Sequence, residues 1–554
     1  MKYIVIGAVA GGASTAARLR RMDEKAEIVM FERGEYVSYA NCGLPYYIGN
    51  VIKERDKLFV QTAAGFIDRF NIDVRVRNEV LAIDADQKKV RVRDLNTGRE
   101  YVEYYDRLVL SPGAEPLRPP FPGIQLEGIF TLRNVADTDY IKSFVIKKTT
   151  KKAVVIGAGF IGLEMAENLH NLGIEVTIIE MGNQILAPVD YPIAAIMQQH
   201  IRSKGVNLRL VTTVEGFENT KGQLKVLIKD EVAIDADIVI LSIGVRPDTR
   251  LAIAAGLQIG SARGILVNEY MQTSNPDIYA VGDAIEFMNP ITKQSMITYL
   301  AGPANKQGRI CADNIVLGNV RKYGGSINTA IVKVFDMVVG TTGVASKHLQ
   351  ALSIPHLVST THSGSHAGYY PDANQMSIQI AFSPEDGRLY SAQIAGYDGV
   401  DKRLDVFASI IQHEGTIYDL LEFEHAYAPP FSSAKDPINM AGFVAENILL
   451  GILRVAHWNG ANNAELGDLL IDVRTAKEFE AGTIEGAINI PVDELRGRLN
   501  EIPTDKKIFI FCQIGLRGYL AQRILVQNNY QNVLNISGGY FLWQTIRREK
   551  WLVG

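Results

Sequence analysis

With 554 residues, a formal net charge of -4 and 3 cysteines, the chain is too long for one core and carries no electrostatic footprint for nucleic acid. Cys42, Cys311 and Cys512 cannot build a disulfide framework, which predicts a reducing, cytoplasmic setting and reactive rather than structural thiols. No membrane association is expected, because the closest apolar run, AGFVAENILLGIL, is broken by Glu446 and Asn447.

The chain opens on KYIVIGAVAGGASTAARLRRM, a buried β-run, a glycine turn and an amphipathic helix rather than a signal peptide. EIVMFERG is the next strand and ends in Glu32. SYANCGLPYY, residues 38–47, then sets Cys42 alone among small and aromatic residues. KKAVVIGAGFIGLEMAENLHNLG repeats the strand–turn–helix layout, and EVTIIEMG repeats the following strand, ending in Glu180. TSNPDIYAVGDAIE is a short strand closing on Gly282-Asp283. Between about 325 and 445 the pattern changes. TAIVKVFDMVVGTTGV and QMSIQIAFSPEDGRLYSAQIAG predict antiparallel strands, and RLDVFASIIQHEGTIYDLLEF predicts helices. A helical stretch at roughly 441–455 leads to a block in which DLLIDVRTAKEFEAGTIEGAINIP and KKIFIFCQIGLRGYLAQRIL again read strand, loop, helix. That block has the size of an independent α/β module. No metal-ligand spacing is found.

A glycine-rich turn lets backbone N–H groups approach a pyrophosphate at a helix N-terminus. In the second unit Gly157, Gly159 and Gly162 complete G-x-G-x-x-G, and Glu180 falls where an acid holds a ribose 2′-hydroxyl. That acid repels a 2′-phosphate, so NADH is expected over NADPH. The first unit keeps Gly7 and Gly12 but has Val9 in the middle. Glycines also serve helix–strand packing, so this turn takes its meaning from Glu32 and from the distant VGDA. There, Asp283 either hydrogen-bonds a flavin ribityl chain or caps a following helix. The two units predict FAD at the N-terminal site and NADH at the second. A free cysteine is commonly a small buried hydrophobe. After a flavin-type unit Cys42 reads instead as a redox thiol, which without a partner cycles through a mixed disulfide, a persulfide or a sulfenic acid. Cys311, in GRICADNIVLG, reads as core packing.

The order GAVAGG…FERG…SYANCGLPYY…LVLSPGAEP…VVIGAGFIGLE…SIGVRP…IYAVGDA resembles the two-dinucleotide-binding flavoprotein disulfide reductases, in the branch with one active-site cysteine. The resemblance covers roughly residues 1–445. It implies an α/β flavoprotein in which an FAD domain (1–115 and 245–323) is interrupted by an NAD domain (116–244), both Rossmann-like. An α+β dimerisation domain (324–445) and a connector (446–456) follow. Cofactor contacts are implied at Gly7, Ala10, Gly11, Gly12, Glu32, Arg33, Pro112, Gly113, Gly157, Gly159, Phe160, Ile161, Gly162, Glu180, Gly244 and Asp283, with Phe160 as a gate over the flavin. Electrons pass from NADH to FAD and on to sulfur, and the Cys42 thiolate lies against the oxidised flavin.

Peroxidases and oxidases of this branch carry a histidine in the first glycine turn, where this chain has Ala10. GAVAGGAS, SYANC, HAGYYP and AYAPPFSSAKDP are instead similar to coenzyme A-disulfide reductases. This implies a homodimer whose tyrosines reach the sulfur chemistry across the subunit boundary. Tyr427 and either Tyr369 or Tyr370 match such positions, as acid or hydrogen-bond donor to a departing thiolate, or as interface packing. It also implies tightly held coenzyme A, with contacts at Ser14, Arg18, Arg21, Ser38, Asn41, Asn305 and Lys435. Ser14, Arg18 and Arg21 share one helix face, as a solvated basic face also would. Two departures stand out: Phe70, beside Arg69, replaces a basic residue of some relatives, and Asn305 sits where a relative carries histidine.

CQIGLR, residues 512–517, follows a strand and precedes a helix, so that successive N–H groups point at one centre. The helix dipole and Arg517 are expected to favour a thiolate or persulfide on Cys512. With IDVRTAKEF, GTIEGAINIP and SGGYFLW, residues 457–554 resemble a single rhodanese domain in which Thr483 replaces the usual histidine. The joint resemblance is to coenzyme A-disulfide reductase–rhodanese fusions of the NADH-dependent persulfide reductase type. The implied activity is NADH-driven reduction of coenzyme A persulfide, polysulfide or coenzyme A disulfide at Cys42, with Cys512 handling sulfane sulfur. Rival readings are an NADH oxidase or peroxidase cycling Cys42 through a sulfenic acid, and a flavin-based redox sensor or sulfur carrier.

Overall fold

The computed structural model describes residues 1–458 and 467–553, and the chain divides into two compact units. The first unit comprises Met1–Met181 and Thr212–Asn328. Its opening run is apolar on both faces, which suits a strand covered on both sides of a parallel sheet. Lys2–Ile6 is indeed central, in the order 278–280, 107–110, 2–6, 27–32, 73–76, with every pairing parallel. A second parallel sheet runs 175–179, 152–156, 238–241, 129–131. In both sheets the chain leaves the central strand for one neighbour and returns on its other side. That reversal opens a crevice at the carboxyl ends of the strands, where Gly7 and Gly157 sit. The helix Ala10–Met22 lies so close to Ala301–Leu317 that a Cβ at Gly308 would come 2.6 Å from the Gly11 carbonyl oxygen. An antiparallel meander, 78–84, 89–94 and 100–104, was not anticipated from the sequence.

The second unit takes Gly182–Val211 and the chain from Thr329 onward. The excursion 182–211, read from sequence as part of the second nucleotide domain, packs here because buried Asp190 is a hub. Its Oδ2 accepts from Gln379 Nε2 at 2.7 Å, Gln393 Nε2 at 2.8 Å and the Ser346 N–H at 3.0 Å, and its Oδ1 from the Lys347 N–H at 3.0 Å. An antiparallel sheet runs 330–334, 337–343, 389–396, 375–382, 357–364. The helix expected near 441 starts at Pro437, because the Asp436 carboxylate accepts the Ile438 N–H at 3.0 Å and proline suits the first turn. It ends at Leu449, and Val455–Ala456 already pairs with Asn535–Ile536, so the expected connector 446–456 is largely helix end and edge strand. The C-terminal parallel sheet has the order 455–456, 533–536, 508–511, 469–472, 488–489. No described helix is long and apolar enough to cross a membrane.

Candidate active sites

The two glycine turns share one construction. Gly157 has φ +99°, and a Cβ there would lie 2.4 Å from the Ser242 carbonyl oxygen; at Gly162 it would lie 2.0 Å from that of Gly157. Glycine is therefore required by the chain's own packing at both positions. Gly159 differs, since a Cβ there meets nothing within 4 Å. Open space faces its backbone where the helix Phe160–Asn171 begins, and no side chain caps that helix. Its first-turn N–H groups remain available to an anion. The helix Ala10–Met22 is likewise uncapped, with Val9 as the N-cap residue.

The acids at the ends of the second strands do more than the sequence reading assigned them. Glu32 Oε2 accepts the Ala8 N–H at 3.0 Å, and Glu180 Oε2 accepts the Ala158 N–H at 2.9 Å. Each thus fixes its own glycine turn. Asp283 is followed by the strand Ile285–Met288, which removes its reading as a helix cap. Burial pushes its carboxyl up to about 6, against the pull of Arg133. Such a desolvated acid, next to the turn at Gly11, fits the hydroxyls of a ribityl chain. Pro112 and Gly113 lie on the strap braced by Arg133, which donates to the Pro112 carbonyl at 3.2 Å and the Ala114 carbonyl at 2.8 Å. Arg33 pairs with Glu115 at 2.8 Å. The residues present fit two dinucleotides.

Cys42 lies in the 3-10 turn Asn41–Gly43 and is solvent-accessible. Close packing first, then the charges of Glu164 and Asp283, push its thiol up. Burial and the two carboxylates therefore oppose the expected thiolate, while the Cys42 backbone N–H favours it. Glu164 was missed in the sequence, although its place in GFIGLE signals it. Desolvation pushes its carboxyl up to about 7, and Tyr46 donates to its Oε1 at 3.3 Å.

In the second unit, Cys512 ends the strand Ile508–Phe511 with 1% exposure, and its sulfur accepts the Gly515 N–H at 3.1 Å. Gly515 has φ +115°, which turns the loop into the helix Leu516–Gln527. The Arg517 guanidinium interacts with Cys512 and also forms a fork onto Glu478, with both bonds at 2.7 Å. Buried Asp472 pairs with Arg474 at 2.7 Å and accepts the Thr483 hydroxyl at 2.8 Å. Threonine at 483 thus does a structural job beneath the loop.

A model of the pyridine nucleotide-disulphide oxidoreductases matches residues 1–308, and one of the rhodanese-like domain matches 456–546. The coenzyme A disulfide reductase of Staphylococcus haemolyticus is 35% identical over 81% of this chain and 100% of its own. The crystal structure of reduced Bacillus anthracis CoADR-RHD superposes with a TM-score of 0.97 at 48% identity, covering 99% of this chain and 98% of that one. The NAD-dependent persulfide reductase of A. fulgidus gives 0.92 at 38% identity, covering 98% and 100%. The chain belongs to the pyridine nucleotide-disulphide oxidoreductases. It is an NADH-dependent flavoprotein reductase of that family with a rhodanese module.

The remaining expected positions of this oxidoreductase fall into groups. Ser14 Oγ bonds to Asn305 Oδ1, and Arg18 pairs with buried Asp313 at 2.7 Å, while Arg21 is exposed. The face exists, with Arg18 partly neutralised. Ser38 takes φ +46° and donates its N–H to the Ala8 carbonyl, which ties the Cys42 segment to the first turn. Phe160 and Ile161 open their helix, and Gly244 precedes the strand Val245–Pro247. In the second unit the hydroxyls of Tyr369 and Tyr427 lie 2.9 Å apart on exposed side chains, whereas Tyr370 turns its ring to His366. Tyr369 is thus the member of the adjacent pair that meets Tyr427. Lys435 is exposed beside buried Asp436. Cys311 is 0% exposed, as core packing requires. Two buried arginines escaped sequence reasoning. Arg20 donates to the carbonyls of Asp23, Glu24, Ala26, Phe70 and Asn71. Arg403 binds Asp436 at 2.8 Å and the Ser365 carbonyl at 2.9 Å, joining the segments that carry Tyr369 and Lys435.

Proposed function

We propose that the protein is a homodimer that uses NADH to reduce sulfur carried by coenzyme A, as persulfide, polysulfide or disulfide, through Cys42. The observation that carries this reading is an unpartnered, accessible cysteine set against Asp283 and Glu164 in a chain similar throughout to a CoADR-RHD and to a persulfide reductase. FAD, when bound, supplies two-electron transfer between the nicotinamide and sulfur. The uncapped turns at Gly7 and Gly157 would hold the two dinucleotides, Asp283 would take ribityl hydroxyls, and Glu180 would take the adenosine ribose of NADH. Ser14, Arg18, Arg21, Ser38, Asn41, Asn305 and Lys435 bind coenzyme A.

Cys42 attacks the inner sulfur of coenzyme A persulfide: Cys42–S⁻ + CoA–S–SH gives Cys42–S–S–CoA + HS⁻. Two electrons and one proton then return Cys42–S⁻ and CoA–SH. A tyrosine hydroxyl of the Tyr369–Tyr427 pair, reaching across the subunit boundary of the homodimer, donates to the departing thiolate. Cys512 accepts sulfane sulfur and supplies it for reduction, directly or by way of free coenzyme A.

Cys42→Ser, mixed anaerobically with NADH and coenzyme A persulfide, is expected to keep its flavin spectrum and lose hydrosulfide release at least ~1000-fold, or about 4 kcal/mol of barrier. Undiminished release by that variant, or the absence of flavin from the purified wild type, ends the proposal.

A further inference from the structure

The Cys512 loop carries a charge arrangement foreign to a receptor for small anions. The two terminal nitrogens of Arg517, the cation that faces Cys512, are both taken by Glu478 at 2.7 Å. Glu478 is itself pinned. Its Oε2 accepts the Thr475 N–H at 3.0 Å and the Thr475 hydroxyl at 2.9 Å, closing a capping box on the helix Ala476–Glu480. Turning the carboxylate away to free the fork would give up all of these bonds. Arg517 holds the Glu478 carboxyl down to about 2, so it is anionic at any physiological pH. The collar of the loop is apolar: Ile514, Leu516 and Leu520 are 37%, 60% and 47% exposed.

We propose that Glu478 is a specificity-determining residue that directs the Cys512 loop toward alkyl persulfides, R–S–SH, and against the thiosulfate dianion. The inference rests on the reading of Cys512 as a sulfane-sulfur acceptor and adds the class of donor. With an alkyl persulfide, Cys512–S⁻ + R–S–SH gives Cys512–S–SH + R–S⁻. The donor S–S bond breaks, a new one forms on Cys512, and the total charge stays at one negative. With thiosulfate, Cys512–S⁻ + S–SO₃²⁻ gives Cys512–S–S⁻ + SO₃²⁻. That route needs a dianion to settle beside a fixed carboxylate and to compete for an occupied guanidinium fork, whereas an alkyl arm meets Ile514, Leu516 and Leu520. The fixed negative charge on the Arg517 fork makes the selection.

The test is Glu478→Gln in the full-length holoenzyme without NADH, which keeps the capping acceptor and removes the charge. Sulfur transfer to cyanide is followed from N-acetylcysteamine persulfide, an alkyl donor whose arm is uncharged and which carries at most one negative charge, and from thiosulfate. Wild type is expected to prefer the persulfide, and the thiosulfate-to-persulfide ratio of kcat/KM is expected to rise ~10-fold or more in the variant, equivalent to about 1.4 kcal/mol. A wild type that prefers thiosulfate overturns the proposal. A second reading needs no turnover: alkylation of the Cys512 peptide by iodoacetate relative to iodoacetamide, followed by mass spectrometry, is expected to rise with the same substitution. A rise in that ratio supports the role of Glu478 even where Cys512→Ser leaves sulfur transfer intact, a result that would remove Cys512 as the acceptor. An unmoved alkylation ratio overturns the role of Glu478 whatever the transfer assay gives.

Discussion

Glu164 shows how far folding moves the chemistry of a side chain. Its carboxyl, ordinarily at 4.5, is pushed up to about 7 by desolvation. The folded protein therefore holds a proton that the unfolded chain releases between those values. The stability that Glu164 contributes is greatest below pH 4.5, falls as pH rises through that window, and levels off above it. Glu164→Gln cannot titrate. Its melting temperature is expected to exceed that of wild type at pH 8, with the advantage gone by pH 4.5; an equal difference at both pH values would refute the account. The same scale shows what sequence hides. Arg20 and Arg403 look like ordinary charged residues, yet both are buried and spend their donors on carbonyls or on Asp436. A guanidinium shows which oxygens it will meet only after the chain has folded.

Among the elements, the second glycine turn separates packing from recognition. Gly162→Ala drives a methyl against the Gly157 carbonyl and is expected to cost about 1–3 kcal/mol of stability. Gly159→Ala fits the protein, since nothing lies within 4 Å. It is expected to leave thermal unfolding unmoved while raising KM for NADH ~10-fold, about 1.4 kcal/mol of binding. Thermal scans and NADH titrations of both variants check this, and the reverse pattern would sink it. Strand–turn–helix units were legible because their period and their glycines lie within one short stretch. The strand Leu357–Gly364 was not, because polar residues interrupt its apolar pattern, while the meander over 78–104 carried a period-2 alternation in KVRVRD that was passed over. Glu32 and Glu180 were read from the sequence as cofactor-binding acids; the structure shows them bracing the turns.

At the scale of the molecule, the second unit exposes Tyr369, Tyr370, Tyr427 and Phe431 at 76%, 43%, 48% and 69%. Exposed aromatics in such number fit a surface of contact, and the proposed homodimer would supply the cover. Light scattering is expected to give twice the chain mass. Phe431→Asp is expected to weaken the dimer and to depress NADH-driven sulfur reduction, while sulfur transfer at Cys512 persists. A monomeric wild type with full reductase activity would remove the shared site.

Contiguous stretches by themselves determined that the chain has two glycine turns of the dinucleotide type, a solitary cysteine after the first and a second cysteine opening a loop between a strand and a helix. Each of these is written in the spacing of neighbouring residues, where backbone geometry alone sets the outcome. Only the tertiary structure decided that Glu164 and Asp283 flank Cys42, that Tyr369 rather than Tyr370 meets Tyr427, and that Glu478 occupies the Arg517 fork. Those pairings join residues far apart in the chain, and side-chain charge acts through space rather than along sequence.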